Sequence, residues 1–491
     1  MICLFVIDSR IYTSILLSTD HNMLKKYLLL LFAVMLTVTA IAQNRIKYVF
    51  YFIGDGMGVN QVNVTETYLA ALKGRIGFEP ILMSSFPVVG LVNTYSGTNG
   101  VTDSAAGGTA LATGHKTKNG ALGVTTDLQT EVSSVAAWAK EAGAAVGVAT
   151  SVAIDHATPA SFYAHVPDRK MYYTIGRQLI ASGYDYFGGS DFHEPDKKPE
   201  EGTLYEQAEK AGYTIAKGYK DYIKKAASAS KMILFQSDEA NKKLYRDHIP
   251  YALDRRKGDL TLEEITRAGI NFLTRSSKDG FFFMVEGGMI DYACHKNDIG
   301  TAINEVLDMD KAIKVAYEFY SQHPDETIII VSADHETGGL VMGKGPYELH
   351  ADLLRFQKMS KPEFQWHLND LYSKSPKRFT WNLVEKELKS QFGFWNGITL
   401  TDDQTSRLKK RWNAIEEAIN NGDKVNKLID NIGETACRIL SEVAMISWAS
   451  GGHSNGYVPV YAIGNGTEVF QGRIDNIEIA PAIGTITGWK K

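Results

Sequence analysis

Cysteine is scarce. The 491-residue chain has three, Cys3, Cys294 and Cys437. A disulfide-stapled framework is therefore excluded. A Cys294–Cys437 bridge would need a geometry that sequence alone does not supply, so two unpaired buried thiols are expected. Cationic surplus is absent too: Lys plus Arg is 52 against 56 for Asp plus Glu, a net charge of −4. No basic field points to nucleic acid, and no long run of one sign marks an interaction tail. There is no internal repeat and no low-complexity tract.

Long apolar runs are missing everywhere except near the start. Lys25 and Lys26 precede an apolar run from Tyr27 to Leu36, and small residues end it at Ala40-Ile41-Ala42. That is the pattern of a signal peptide, and the run is short of the roughly 20 residues a spanning helix needs. Export with cleavage after Ala42 is expected, leaving Gln43 first. Met23 is a better start than Met1. No cysteine follows the run to carry a lipid, so no membrane association is expected after cleavage.

What is present is ordinary globular composition, 44% hydrophobic and 22% charged. Apolar runs at 46–53, 145–150, 232–235, 281–285 and 327–331 read as buried strands. Helical patterns lie between them at 133–142, 262–273 and 303–320. The alternation predicts an α/β fold, a mostly parallel sheet in a three-layer α/β/α sandwich. Ligands in such folds sit beyond the C-terminal ends of the strands. Residues 190–225 read as a solvated insertion. Residues 346–440 read as a largely helical one, with Trp366, Trp381, Trp395 and Trp412 as its own core or as a cap over the substrate entry. The expected organisation is an N-terminal segment 1–42 and one domain, 43–491.

Chemistry gathers at the strand tips. Gly54-Asp55-Gly56 ends the first strand and leaves a carboxylate uncovered between glycines. Thr102-Asp103-Ser104-Ala105-Ala106-Gly107-Gly108 reads as a loop entering a helix of small residues. Either Asp103 or Ser104 caps that helix, or the Ser104 hydroxyl is a nucleophile where free N–H groups and the dipole favour an anion. Glu286 ends another strand. Asp291 and His295 follow at i and i+4, on one helix face, a spacing that suits a divalent cation. Asp334-His335 ends a further strand, and His453 lies in a small-residue loop before the strand 458–463. Each signal is modest alone. Together they supply nitrogen and carboxylate ligands for two zinc-like sites and leave Glu286 over for a harder cation.

That ordered set, with His156-Ala157-Thr158-Pro159, resembles the alkaline phosphatase family from about residue 45 to the end. The resemblance implies hydrolysis of phosphate monoesters, with Ser104 as nucleophile and Arg169 clamping phosphate oxygens. It implies one zinc on Asp291, His295 and His453, a second on Asp55, Asp334 and His335, and magnesium on Asp55, Thr158 and Glu286. Two zinc ions about 4 Å apart would stabilise the attacking and leaving oxygens of an in-line displacement through a phosphoserine. Relatives carry His or Asp where this chain has His156, and often His or Lys where it has Tyr292. Both positions lie around the third metal. The family also implies a possible homodimer, and the signal sequence implies a secreted or periplasmic protein. Two other readings compete. A sulfatase of the same superfamily would need an arginine where Gly108 stands, and related phosphodiesterases usually lack the third-metal set. An exported metal- or phosphate-binding protein would explain the ligands but not Ser104.

Overall fold

The computed structural model describes residues 25–27, 46–244 and 246–490. The chain divides into two units, Met1–Arg45 and Ile46–Lys491. Of the first, only the helical residues Lys25 to Tyr27 are described. The expected start, apolar run and cleavage point otherwise lie outside the described residues. Among the described residues no helix is long and apolar enough to cross a membrane.

The second unit is built on a ten-stranded sheet. Its strands are β1 (Tyr48–Ile53), β2 (Val88–Asn93), β3 (Ala145–Thr150), β4 (Tyr186–Gly189), β5 (Tyr213–Lys217), β6 (Lys231–Phe235), β7 (Phe281–Glu286), β8 (Thr327–Ser332), β9 (Val458–Ile463) and β10 (Gly472–Asp475). Their order is β10-β2-β9-β8-β1-β7-β3-β4-β6-β5. Only β9 runs antiparallel, against β8 and β2. The continuous apolar runs are strands covered on both faces, as parallel strands must be.

Alternation along β7 shows what covers each face. Phe282 packs against Phe162 and Trp489. Phe283 points the other way, toward Tyr186 and against Gly269 of the helix Leu262–Ser276. That helix and Ile299–Tyr320 cover one face. Val135–Glu141 and Ile479–Thr487 cover the other. Phe283 has no exposed surface, so truncating it to alanine would cost about 3–5 kcal/mol.

Four sheet strands escape the hydrophobic pattern: β2, β4, β5 and β10. β2 alternates buried and exposed residues, with Val88 and Val92 buried and Val89 and Leu91 on the exposed face. β5 lies inside the 190–225 stretch that reads as a solvated insertion. It is instead the edge strand of the sheet, anchored by buried Tyr213 and Ala216. Lysine-rich sequence suits an exposed edge, which is why it looks solvated.

The helices Lys361–Lys374, Trp381–Phe392, Asp402–Asn421 and Asn426–Val443 enclose a second apolar cluster. Trp412 is buried in it, and Trp381 and Trp395 pack against it. Trp366 differs. Its side chain is 49% exposed, with Lys243 Nζ 4.4 Å from the ring centroid. Cys294 and Cys437 are both free and buried.

Register places the chemistry. Ile53 pairs with Glu286 and with Ser332, and Thr150 pairs with Glu286. The C-terminal ends of β8, β1, β7 and β3 are therefore level, and the loops that leave them meet.

Candidate metal centre

Glycine and small residues make the convergence possible. Gly56 follows Asp55 with φ +70°, and a Cβ there would lie 2.8 Å from Asp291 Oδ1 and Thr337 Oγ1. Gly107 sits on the helix Ser104–Thr113, where a Cβ would lie 2.8 Å from the Asp334 carbonyl oxygen. The run of alanine and glycine after Ser104 thus lets this helix dock against the Asp334 loop. Asp103 is the N-cap: its Oδ1 accepts from the backbone N–H of Ala106 at 3.0 Å. With capping done by Asp103, the Ser104 hydroxyl faces the site, buried at 2% exposure and 3.3 Å from His335 Nε2.

Three groups of side chains gather within metal-binding distance of one another: Asp291 with His295 and His453, Asp55 with Asp334 and His335, and Asp55 with Glu286 and His156. In the first, His295 Nε2 lies 3.2 Å from Asp291 Oδ2 and 3.2 Å from His453 Nε2. In the second, His335 Nε2 lies 3.4 Å from both Asp55 Oδ1 and Asp334 Oδ2. The remaining nitrogen of each imidazole is held. His295 Nδ1 donates to the Gly451 carbonyl at 2.7 Å, and His453 Nδ1 to the Thr102 carbonyl at 2.9 Å. His335 Nδ1 lies 3.2 Å from Thr337 Oγ1. Such outer bonds fix the tautomer and leave Nε2 as the ligand atom. In the third group Thr158 Oγ1 donates to Asp55 Oδ2 at 3.2 Å, and Thr150 donates to Glu286.

Without cations this cluster is electrostatically unfavourable. Burial raises Asp55 well above the usual carboxylate range, and the neighbouring Asp334, Asp291 and Glu286 raise it further. Burial does the same to Asp334, reinforced by Asp291 and Glu286. Glu286 is pushed up to about 7, burial being the main cause. For Asp291 burial is outweighed by the hydrogen bond with His295 and by the nearby imidazoles, which hold it well below the usual range. His335 is held well below its usual value by burial and by His453, so it presents a neutral ring. Asp55 Oδ1, Glu286 Oε1 and His156 Nδ1 are buried and have no hydrogen-bond partner among the described residues. Buried charges are kept only when paired or metal-bound. The donor set, with its orphaned oxygens, fits divalent cations.

Arg169 stands opposite. Its Nη1 donates to Asp103 Oδ2 at 3.1 Å, and its Nη2 donates to His156 Nε2 at 3.1 Å. Burial acts against the guanidinium charge, but Asp103 and then Asp55 outweigh it and raise its pKa. Burial and then Arg169 push His156 down to about 3. The arginine bond places the His156 proton on Nδ1, which faces Glu286 Oε1 at 4.0 Å. Tyr292 packs edge-on against His156 with ring centroids 6.0 Å apart, and its hydroxyl donates to Asp247 at 3.2 Å.

The structure therefore brings together all twelve residues singled out in the sequence. It adds several that were not. Thr337 donates to Asp291 Oδ1 at 2.5 Å and also touches His335, linking two ligand groups through one hydroxyl. Glu336 accepts from Gln61 Nε2 at 2.8 Å, from the Gly339 N–H and from Ser454. His193 sits behind His156, bonded to Asp155 and Asp247 at 2.6 and 3.2 Å. Thr337 and Glu336 adjoin a visible motif. His193 carries no periodicity or spacing that could have marked it.

The family profile for alkaline phosphatase matches residues 46–185 and 188–488. Alkaline phosphatase 3 of Bacillus subtilis is 33% identical over 458 residues, covering 89% of this chain and 88% of that protein. Alkaline phosphatase 4 of the same organism is 30% identical over the same span. Among solved structures, the cold-active alkaline phosphatase of Shewanella superposes with a TM-score of 0.73 at 26% identity, covering 90% of this chain and 99% of that one. The Thermus thermophilus alkaline phosphatase gives 0.72 at 26% identity, covering 91% and 92%. Sequence, fold and the convergence at the strand tips agree, and the chain belongs to the alkaline phosphatase family of enzymes.

Proposed function

We infer that this enzyme hydrolyses phosphate monoesters to an alcohol and inorganic phosphate, with Ser104 as the nucleophile. One observation carries the inference. The Ser104 oxygen is buried at a helix N-terminus, freed from capping by Asp103, and lies 3.3 Å from Nε2 of His335, which groups with Asp55 and Asp334. A protein that only bound metal or phosphate would have no use for a hydroxyl so placed.

The residues divide the work. Asp291, His295 and His453 would hold one zinc. Asp55, Asp334 and His335 would hold a second. Asp55, Thr158 and Glu286 would hold magnesium, and a mutant of the TAB5 alkaline phosphatase, 25% identical, has magnesium in its M3 site. Bound there, the cations would supply Lewis-acid stabilisation of negative charge on the entering and leaving oxygens. Arg169 is aimed by Asp103 and His156 so that its planar fork meets two phosphate oxygens. The N–H groups at the start of the Ser104–Thr113 helix favour the serine oxygen as an anion. Ser104 attacks phosphorus in line with the departing alcohol and forms a phosphoserine. Water then releases phosphate and restores the hydroxyl. Burial of Ser104 keeps bulk water out and strengthens each of these interactions.

The N-terminal pattern supports export to the periplasm or beyond, with cleavage after Ala42. The test of function is hydrolysis of a chromogenic phosphate monoester at alkaline pH, beside the matching diester and sulfate ester, with and without zinc and magnesium. Metal-dependent cleavage of the monoester is expected. Preferential cleavage of the diester or sulfate would overturn the assignment.

A further inference from the structure

One buried hydroxyl beside the cluster belongs to neither zinc-like ligand set and touches both. Thr337 follows His335 by two residues and has no exposed surface. Its backbone is tied down twice. The Thr337 N–H donates to the Gly56 carbonyl at 3.2 Å, one residue past Asp55. Thr337 is also the strand partner of His453 in a short antiparallel ladder, Glu336–Thr337 against His453–Ser454. The side chain is closely surrounded, since a Cβ on Gly56 would lie 2.8 Å from Thr337 Oγ1 and from Asp291 Oδ1 alike. The hydroxyl therefore has a fixed place between residues of the two groups.

Its bonds have one consistent order. A hydroxyl has one proton to give and two lone pairs to accept with. Burial of Asp291 is outweighed by His295 and the other imidazoles, so it stays a carboxylate and can only accept. The Thr337 proton thus points to Asp291 Oδ1 at 2.5 Å. His335 Nδ1, 3.2 Å from the same hydroxyl, must then donate to it. With that proton on Nδ1, the ring turns its Nε2 lone pair toward Asp55 and Asp334, 3.4 Å from each. Asp291 Oδ2 is left toward His295 at 3.2 Å. His295 and His453 take their tautomers from the backbone carbonyls of Gly451 and Thr102. His335 takes its tautomer from a side chain, and that side chain also holds a ligand of the other group.

We propose that Thr337 is a positioning residue shared by the two cation groups: its single hydroxyl orders the tautomer of His335 and the orientation of Asp291 together, so that one side chain outside both ligand sets governs the hold on both ions. The proposal rests on the two-zinc reading above. Losing the hydroxyl strands a donor on one side and an acceptor on the other, and outer partners of this kind govern metal affinity by about tenfold to a hundredfold.

The test is release of zinc from the full-length protein, loaded with zinc and magnesium and diluted into a chromogenic chelator. Thr337→Val keeps the shape and removes the hydroxyl. Both zinc ions should leave roughly tenfold to a hundredfold faster from this variant. Thr337→Ser keeps the hydroxyl and removes a methyl group, and should release both at close to the parental rate. The reverse order of the two variants would assign Thr337 to packing and overturn the proposal. A faster loss of one ion, with the other leaving at the parental rate, would overturn it too. If Thr337→Val is not recovered folded, Thr337→Ala against Thr337→Ser isolates the same hydroxyl, since both lack the methyl group. Fewer than two zinc ions per parental chain would overturn the two-zinc reading and the proposal with it. Two ions leaving Thr337→Val at parental rates would overturn the proposal alone.

Discussion

The Nε2 atoms of His295 and His453 lie 3.2 Å apart although 158 residues separate them in the chain. Two ring nitrogens whose other nitrogens donate to carbonyls meet as lone pairs, a contact that only a shared cation makes favourable. Removing metal with a chelator should abolish hydrolysis and lower the melting temperature, since a ligand held at 100–1,000 times its Kd contributes about 3–4 kcal/mol. Restoring zinc and magnesium should recover both. Melting curves unchanged by chelation would mean that the cluster is stable empty.

Ser104→Ala should lower kcat by about a thousandfold or more, because the group removed acts only in the chemical step. Inorganic phosphate should still bind to the metal-replete protein, since Arg169 and the groups that would hold the cations remain. Near-parental turnover in this variant would remove Ser104 from the mechanism.

Arg169→Ala should reduce activity by about a hundredfold to a thousandfold without eliminating it, the usual cost of losing one charge-stabilising donor. Asp103→Ala should show a weaker version of the same defect. It also loses the cap on the Ser104–Thr113 helix, worth about 1 kcal/mol, so its unfolding midpoint should fall where that of Arg169→Ala does not. Steady-state kinetics beside denaturant titrations separate the two effects.

His193 gives a pH test of stability. Burial opposes its charge, but bonds to Asp155 and Asp247 prevail and push it up to about 9. A folded-state value above the unfolded one stabilises fully below the unfolded value, about 6.5, and is lost as pH rises through the folded value. His193→Gln should therefore cost on the order of 1–3 kcal/mol near pH 6, and the gap should close toward pH 10. A penalty that does not vary with pH would show that the ring is not charged in the folded protein.

Glu336 ties the His335 loop to the residue after His453 through Ser454, and to the helix Val59–Leu72 through Gln61. Glu336→Ala removes the acceptor shared by Ser454 and Gln61, although Gln61 Nε2 keeps its bond to the Thr337 carbonyl at 2.8 Å. The variant should release metal faster on dilution into chelator, by roughly tenfold to a hundredfold for an outer-shell partner. Parental release rates would confine Glu336 to a packing role.

The strand tips are legible in the sequence for a physical reason. Parallel strands covered on both faces are continuous apolar runs, so β1, β7 and β8 stand out, and each ends abruptly in a carboxylate. β2 and β5 do not, because one face of β2 is exposed and β5 is a short edge strand set in lysine-rich sequence. The metal-ligand residue types are visible because they share motifs with glycine, as in Gly54-Asp55-Gly56. What surrounds them is hidden. Asp155, Asp247 and His193 come from three loops that only the folded sheet brings together, and Trp366 looks like a core residue until its helix is seen to turn it outward. Asp103 is the instructive case. Sequence leaves open whether it or Ser104 caps the helix, and the hydrogen bond to Ala106 shows that one residue frees the other.

β9 is the one strand that enters the sheet from the opposite direction, and His453 lies on the loop that leads into it. Consequences follow for synthesis. A ribosome delivers Asp291 and His295 long before His453, and β9 cannot pair until residue 463 has emerged. The group they form must therefore stay incomplete until His453 has been added, 158 residues after His295. A product that stops before residue 453 lacks one of the three side chains that Asp291, His295 and His453 bring together.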